Sequence, residues 1–470
     1  MEMPIRWGDH PKSSTILLFV VISISGLATG AIATARGTDL LGLFVVLLGS
    51  IALLVASFRL AEARVRNLVL LAFLLRLGLA FIHAYIVPLP DSKADALTFE
   101  RLGWEAAEAW LSGGGAPALS GAYLYSAWIG VLYFLFGRIP LLAQFTNVLL
   151  GTFTVYITWK LSFLITESRR AALIAAWITA LFPTLNLYSA ITMRESFIVF
   201  FTITSVYCFV LWLKCGRLGQ MIGAGILLLA ATALHDGMVC IGLVYALFFS
   251  FYHPKSKRWT AFSADSIFVI TLIIAVTVAL RGFLRDKLPD NILLIFSPDY
   301  LGQHTMVAAK DRAAYLPGLV PGSVADMLWQ TPLRMLYFLY TPFPWMVSSP
   351  ADVVGLIDAL LYAFLSIYFM KGLASLRNRN RVLFWGITLI LIVFLGTFAW
   401  GTSNYGTAIR HRQKIVWLLS ITAAIGFTRS PWWRWLYPGK KVPSGWDSGG
   451  IVARTESKIT THYTTTHDGS

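Results

Sequence analysis

Two aspartates lie four residues apart in the segment Pro88-Leu-Pro-Asp91-Ser-Lys-Ala-Asp95-Ala-Leu-Thr-Phe99-Glu100, directly after an apolar run. Ionised groups at membrane depth are costly and are usually functional. Partial burial also raises the basicity of a carboxylate, so Asp91 or Asp95 is suited to act as a general base toward a hydroxyl, or as a metal ligand. The structural alternative is that Asp95 caps the helix that follows and that Asp91 occupies a solvated turn.

A further acidic position follows in Thr192-Met-Arg194-Glu195-Ser196, a turn that comes after a Pro-bearing helix around Leu181-Phe-Pro183. Glu195 could meet the first acidic loop, with Arg194 binding an anionic substrate. Alternatively, Glu195 only favours the positive N-terminus of the next helix, and Arg194 extends to the membrane surface. Both interpretations place the carboxylate on the same side of the membrane as the first loop.

A basic cluster occurs in Asn404-Tyr-Gly406-Thr-Ala-Ile-Arg410-His411-Arg412-Gln413-Lys414. Arginine binds phosphate through paired hydrogen bonds, and Arg410, Arg412 and Lys414 bracket a turn between two predicted spans. Together with His411, they are candidates for a phosphate clamp. The alternative is that a short translocated loop tolerates such charges because stronger basic signals follow it.

Four further residues are weaker candidates for substrate binding. His235 and Asp236 precede Gly237 in an abrupt turn, and we favour the interpretation that Asp236 caps the next helix. A ligand role for His235 is the alternative. Lys310 and Arg312 lie in a long predicted outer loop, and loops of that size usually have a function.

The composition predicts how these residues are held. The chain has 470 residues, of which 57% are hydrophobic and 13% are charged, with a mean hydropathy of +0.68. These values are typical of an all-α polytopic membrane protein. At about 20 residues per crossing, the apolar runs predict about twelve transmembrane helices. We place them near 15–35, 40–58, 67–87, 141–164, 171–190, 196–213, 218–235, 237–252, 265–283, 352–371, 382–400 and 414–428.

Basic residues predict the orientation of these spans. The net charge of +15 comes from short clusters between apolar runs, a pattern that does not indicate nucleic-acid binding. Apart from the Arg410 cluster, the basic groups fall on one side, as the positive-inside rule requires for the cytoplasmic face. Both termini are then cytoplasmic, the first span is a retained anchor, and the acidic segment 88–121 is extracytoplasmic.

Two outer segments have helical or broken-helix patterns. The apolar spacing from Ala94 to Leu111 predicts an amphipathic juxtamembrane helix, and Tyr123 to Phe136 predicts a short juxtamembrane or re-entrant helix. A second outer loop, 283–332, leads into a piece from Leu333 to Trp345 that we expect to dip into the membrane and return. The chain thus divides into N-terminal helices 1–66, a core 67–255, a C-terminal membrane region 256–430 and a cytoplasmic disordered tail 431–470.

Several common chemistries have no signal in the chain. Walker-type, GxSxG and His-Glu-x-x-His patterns are absent, which disfavours ATP-driven transport and the common hydrolase mechanisms. Cys208, Cys215 and Cys240 have neither paired nor metal-type spacing, so the sequence indicates no disulfide framework or zinc site.

These features together resemble the GT-C superfamily of integral-membrane glycosyltransferases, especially relatives of protein O-mannosyltransferases and lipid A aminoarabinose transferases. The resemblance extends over residues 65 to 255, and over the C-terminal third in architecture only. It rests on the two loop aspartates followed by Ala96-Leu-Thr-Phe99, on Leu124 to Gly137, on Ala172 to Pro183, and on Glu195. The motifs are degenerate, and the chain departs from the family pattern in Arg194 and in offering two loop aspartates.

The resemblance implies transfer of a sugar from a polyprenyl-phosphate donor to a lipid, glycan or protein acceptor, with inversion, on the extracytoplasmic face of a bacterial inner membrane. Asp91 or Asp95 would be the general base, Glu195 the second acidic residue, and the Arg410 to Lys414 group would hold the lipid phosphate. The base and any divalent metal stay open. Competing hypotheses are a lipid-linked oligosaccharide polymerase or ligase, and a flippase or transporter of an anionic lipid-linked precursor.

Overall fold

The computed structural model describes residues 39–60, 62–115, 117–260, 297–309 and 312–429, together with a few isolated positions. Apart from isolated positions, the predicted spans 15–35 and 265–283, Lys310 and the predicted tail 431–470 lie outside the described residues. The division into regions ending at 66, 255 and 430 stays a prediction.

The described chain is mainly helical, as predicted. Two short strands, β1 (Tyr252–His253) and β2 (Arg258–Trp259), form an antiparallel pair. Single 3₁₀ turns occur at Gly121–Tyr123, Asp236–Val239, Pro344–Met346 and Gln413–Ile415. The α-helices are α1 (Asp39–Ser57), α2 (Ala63–Tyr85), α3 (Asp95–Leu111), α4 (Leu124–Phe136), α5 (Pro140–Thr166), α6 (Arg169–Leu181), α7 (Pro183–Ala190), α8 (Glu195–Cys215), α9 (Leu218–Leu234), α10 (Cys240–Phe251), α11 (Pro298–Ala308), α12 (Val324–Tyr340), α13 (Pro350–Arg379), α14 (Arg381–Trp400), α15 (Tyr405–Arg412) and α16 (Val416–Thr428).

Six helices of the described residues are long and apolar enough to cross a membrane: α1, α2, α5, α8, α13 and α14. The pair α6 and α7, bent by 52° at Phe182, makes a seventh if it is one span. The predicted number of about twelve is not confirmed. One reason is length, because α9 and α10 have 17 and 12 residues, and at 1.5 Å per residue even α9 is only about 26 Å long.

The two helices predicted in the first outer segment are present. Helices α3 and α4 pack closely as a hairpin, with Gly103 of α3 against Ile129 and Gly130 of α4 against Ala106. A side chain at either glycine would overlap the facing helix. Their placement relative to the membrane stays a prediction.

The helical piece that was expected to begin at Leu333 begins earlier, and the outer loop 283–332 stays a prediction. Helix α12 already begins at Val324, because the Ser323 hydroxyl caps it by accepting from the Asp326 amide, and Pro332 lies inside the helix. The predicted break is confirmed, since α12 ends at Tyr340 before Pro342 and Pro344.

Close helix contact brings the C-terminal elements together. A Cβ atom at Gly372 of α13 would overlap the Thr422 carbonyl of α16, and one at Gly426 of α16 would overlap the Tyr368 carbonyl of α13. Between α14 and α16, the short helix α15 is capped by Asn404, whose Oδ1 accepts from the amides of residues 406 and 407. The basic cluster is therefore part of a fixed helix rather than of an open loop.

Candidate functional site

The first acidic loop has a tightly bent backbone. Asp91 and Ala94 have φ values of 60° and 48°, which side-chain-bearing residues rarely adopt. Asp95 is the first residue of α3, and the capping position belongs to Ala94, which makes no side-chain capping bond. The predicted capping role of Asp95 is thus not what the structure shows, and both aspartates are turned toward other elements.

Asp91 contacts the broken pair α6 and α7. The Tyr188 hydroxyl of α7 donates a hydrogen bond of 2.7 Å to Asp91 Oδ2. Although Asp91 lies at the surface, loss of water around its carboxyl group raises the pKa of Asp91 above the ordinary value. The Tyr188 bond and the positive charge of Arg410 oppose this rise, whereas Glu195 and Asp95 add to it.

The turn before Glu195 is held by a residue that sequence reasoning missed. Asn147, fully buried in α5, shares its amide hydrogens among the Tyr125 hydroxyl and the carbonyls of Ile191 and Met193, at 2.8 to 2.9 Å. These bonds fix the start of α8 and so the position of Glu195. An Asn inside a predicted span was the available signal, because polar groups in spans need partners.

Glu195 is deeply buried, with 1% of its surface exposed. No described residue donates a hydrogen bond to either of its carboxylate oxygens. Its nearest cation is Arg410, whose Nε lies 3.5 Å from Glu195 Oε1. A buried carboxylate with this few partners is unusual and is typical of a site that a ligand completes.

Arg410 bridges the two acidic elements. Its Nη1 donates to Asp95 Oδ2 at 2.5 Å, while its Nε faces Glu195. Burial acts to lower the pKa of Arg410, but the two carboxylates outweigh it and raise the pKa above the ordinary value, so the guanidinium is charged. The structure thus brings Asp95, Glu195 and Arg410 together, with Asp91 beside them.

More cationic side chains surround this bridge. Arg194 Nη1 donates to the Leu234 carbonyl at 2.5 Å, and its guanidinium lies over the Phe99 ring at 5.6 Å. Lys414 is fully buried, and its Nζ has no hydrogen-bond partner among the described residues. Burial and the neighbouring arginines lower the pKa of Lys414, and Glu195 partly offsets this.

The two predicted histidines meet beside Lys414. Their Nε2 atoms, of His235 and His411, lie 3.3 Å apart, so one of them donates and the other accepts. Burial first, and then Lys414, lowers the pKa of both rings, which keeps them neutral. Asp236, next to His235, is exposed at the start of its 3₁₀ turn.

Arg412 and Arg312 lie in other contacts. Arg412 is fully buried, paired with Asp358 at 2.6 Å, and donates to the carbonyls of Leu339 and Thr341. Arg312 forms an ion pair with Asp352 at 2.5 Å and also donates to Tyr405. Both arginines fasten α15 to its neighbours, and we leave them out of the proposed site.

No metal site is formed by the described residues: they contain no group of three His, Cys, Asp or Glu side chains placed to hold an ion. At the centre of the acidic groups stands the Arg410 guanidinium. The residues present therefore do not match the divalent metal that the sequence left open, and we derive no step through one.

Comparisons with known proteins give a structural similarity and no match to a protein family. No protein-family model and no curated protein matches the chain. A solved structure that is similar is the Archaeoglobus fulgidus oligosaccharyltransferase in its apo form, with 15% sequence identity and a TM-score of 0.44. The match covers 78% of this chain and 51% of that one, so the chain spans about half the length of the oligosaccharyltransferase. A TM-score this low does not establish a shared fold.

Proposed function

We propose that the chain is a membrane glycosyltransferase that moves a sugar from a polyprenyl-phosphate donor to an acceptor hydroxyl. One observation carries the proposal: Arg410 joins the Asp95 carboxylate to the buried Glu195 carboxylate, next to Asp91. The same place holds buried polar atoms that form no hydrogen bond with the described residues, including both Glu195 oxygens and Lys414 Nζ. Convergent charges with unmet hydrogen bonds favour a substrate site over a structural ion pair.

Asp91 is the general base of this proposal. A base needs a carboxylate that is free to accept a proton and whose pKa is raised, and Asp91 has both properties, whereas Arg410 already pairs with Asp95. The acceptor hydroxyl gives its proton to Asp91 as its oxygen attacks the anomeric carbon. The bond from that carbon to the phosphate oxygen breaks, and the phosphate leaves with the electron pair, which inverts the configuration.

Arg410 stabilises the leaving phosphate. Its Nη1 and Nε face carboxylates, so Nη2 is the donor that can reach a ligand. Arg194 and Lys414 are further nitrogen donors beside Arg410 and Glu195, and donors in a site that excludes water stabilise developing negative charge strongly. Glu195 positions Arg410. His411 and His235 contact each other beside these groups.

The location of the site is also part of the proposal. The basic clusters between the spans favour an extracytoplasmic active site with both termini in the cytoplasm, in a bacterial inner membrane. The partners are then membrane lipids, a polyprenyl-phosphate sugar, and an acceptor that is a lipid, a glycan or a protein.

The experiment uses the full chain in phosphatidylcholine vesicles with polyprenyl-phosphate-linked monosaccharides and a total membrane glycan extract. Release of polyprenyl phosphate is measured for Asp91→Asn, Asp95→Asn and the control Glu105→Gln, an exposed carboxylate on the same helix as Asp95. We expect loss of release with Asp91→Asn and normal release with the control. Undiminished release with both aspartate changes together would refute the enzyme proposal.

Adding a lipid-linked oligosaccharide to the same vesicles separates the two competing functions. A polymerase or ligase would lengthen its product by whole repeat units, whereas a transferase adds one sugar, and the product masses distinguish them. A flippase would move the intact lipid without releasing polyprenyl phosphate, and it needs no carboxylate base.

A further inference from the structure

A cavity lies beside the acidic loop, and the proposed mechanism does not use it. Its volume is about 540 Å³, within the range of pockets that hold small molecules. Segments from the end of α2, the loop before α3, the first turns of α3, the start of α5 and the turn before α8 line it. Its wall includes Ser92 and Lys93, which lie between Asp91 and Asp95 in the sequence.

The buried polar side chain of Gln144 marks the cavity as a binding site. Gln144 of α5 lines the cavity and is 3% exposed, yet its Oε1 accepts no hydrogen bond from the described residues. A buried amide oxygen without a hydrogen-bond partner is unfavourable, and a ligand that donates a hydrogen bond would offset this cost. Asn147, one turn further along α5, is by contrast bonded to the turn before α8.

Apart from Lys93, the groups of the wall are uncharged or paired, which suits hydroxyl groups. Arg138 pairs with Glu100 through two bonds of 2.9 Å, so these two charges cancel. The Leu89 amide donates to His83 Nδ1, which leaves the ring proton on Nε2 and makes His83 a neutral donor. Hydroxyl groups of Ser92 and Thr192 complete the wall, and the remaining charge, Lys93, is exposed.

Exposed apolar side chains lie beside the cavity. Leu97 lines it and is exposed, and Ile86 and Val87, just before the lining residue Pro88, are also exposed. Six helices of the described residues are candidate membrane spans, and exposed apolar side chains of this kind are suited to contact lipid. A polar pocket with apolar side chains beside it fits a molecule that has a hydroxylated head and a hydrocarbon tail.

We infer that this cavity binds the acceptor, and that the acceptor is a membrane lipid with a neutral, hydroxyl-rich headgroup such as a sugar. The assignment as acceptor rests on the proposed function and on the position of the cavity beside Asp91, the proposed base. Gln144 is then a specificity-determining residue that bonds a headgroup hydroxyl.

The test uses a photoactivatable dodecyl glucoside as the probe, with the full chain in phosphatidylcholine vesicles free of glycoside detergent. We expect saturable labelling that maps to residues 83–97 or 138–144. Gln144→Leu should weaken labelling about tenfold or more, because it removes both hydrogen-bonding groups. The control Gln220→Leu, at another amide distant in sequence, should label like the unchanged protein.

Each competitor gives a defined outcome. Unlabelled dodecyl glucoside should displace the probe, and free glucose and dodecyl phosphate should not. Displacement by glucose would refute the claim that the ligand is a lipid. Displacement by dodecyl phosphate would refute the claim that its headgroup is neutral. If Gln144→Leu is labelled as strongly as the unchanged protein, the proposed binding site in the cavity is refuted.

Asp91→Asn separates this inference from the proposed function, because it should abolish transfer and leave labelling unchanged. If Asp91→Asn abolishes transfer and no labelling of the cavity occurs in the unchanged protein, the function stands and the acceptor site fails. If labelling occurs and transfer is never observed, the glycolipid site stands and its role as an acceptor site fails.

Discussion

Replacing Arg410 by methionine tests the bridge between the two acidic elements. The change removes the cation that lies 3.5 Å from Glu195 and 2.5 Å from Asp95, and it keeps a side chain of similar length. Glu195 is buried and has no hydrogen-bond donor among the described residues, so its charge would lose its nearest compensation.

The ion pairs of Arg410 with Glu195 and with Asp95 contribute unequally to the stability of the fold. At an effective dielectric constant of 20, charges 3.5 Å apart attract by about 5 kcal/mol, and breaking a buried pair costs about 3–5 kcal/mol. The Asp95 half contributes about 1 kcal/mol or less, because Asp95 is 54% exposed and water screens it. We therefore expect Arg410→Met to lower the free energy of unfolding by about 3 kcal/mol.

A double change separates stability from activity. Arg410→Met with Glu195→Gln removes the buried charge together with its partner, so most of the lost stability should return. Sugar transfer should stay about 100-fold or more below that of the unchanged protein, because the phosphate-stabilising donor is still missing. Unfolding in mixed SDS micelles measures stability, and release of polyprenyl phosphate measures activity.

Arg412 supplies the matched control two residues away. Arg412→Met should also lower stability, because it leaves Asp358 buried without its partner, and Asp358→Asn should recover part of the loss. The refolded double variant should retain transfer. If Arg410→Met were as stable as the unchanged protein, or if the Arg410→Met and Glu195→Gln double variant regained transfer, the bridge would not have the role we assign to it.

Other predictions concern the groups around the bridge. Tyr188→Phe removes the hydrogen bond that lowers the pKa of Asp91, so the pH below which transfer falls should rise in a pH–rate profile; an unchanged profile would exclude Asp91 as the base. Because the folded pKa of Asp91 is raised, its contribution to stability is present at low pH and is lost as pH rises through that pKa, which SDS unfolding in Asp91→Asn can check. Asn147→Leu removes the hydrogen bonds to the turn before Glu195 and should reduce kcat about tenfold or more. A normal kcat would show that the turn keeps its conformation without these bonds. Gly372→Ala should lower the unfolding midpoint, because the new methyl group would overlap the backbone of α16. An unchanged midpoint would show that α13 and α16 can move apart at little cost in free energy.

Helix positions were largely predictable, because they depend on local hydrophobic runs and local stop signals. The predicted spans 67–87 and 141–164 correspond to α2 (Ala63–Tyr85) and α5 (Pro140–Thr166), and the hairpin pieces 94–111 and 123–136 to α3 and α4. Span number was less predictable, since a run such as 237–252 is equally apolar whether it crosses or ends early. The start of α12 was predicted too late, since the helix begins at Val324 and continues through Pro332.

The sequence by itself determined which residue types were available for chemistry: carboxylates in one loop and at one helix start, and a cluster of cations near the C-terminus. It could not assign partners to them. Asp91 meets Tyr188 across 97 positions, and Asp95 meets Arg410 across 315, so only long-range packing sets these contacts.

Arg410 and Arg412 show the physical reason most clearly. Both belong to one apparent clamp in the sequence, but at about 100° per residue they point about 200° apart on α15. Arg410 therefore faces Glu195 and Asp95, while Arg412 faces Asp358 in the core. The sequence shows that both residues are arginines, and only the tertiary structure decides which of the two lies in the site.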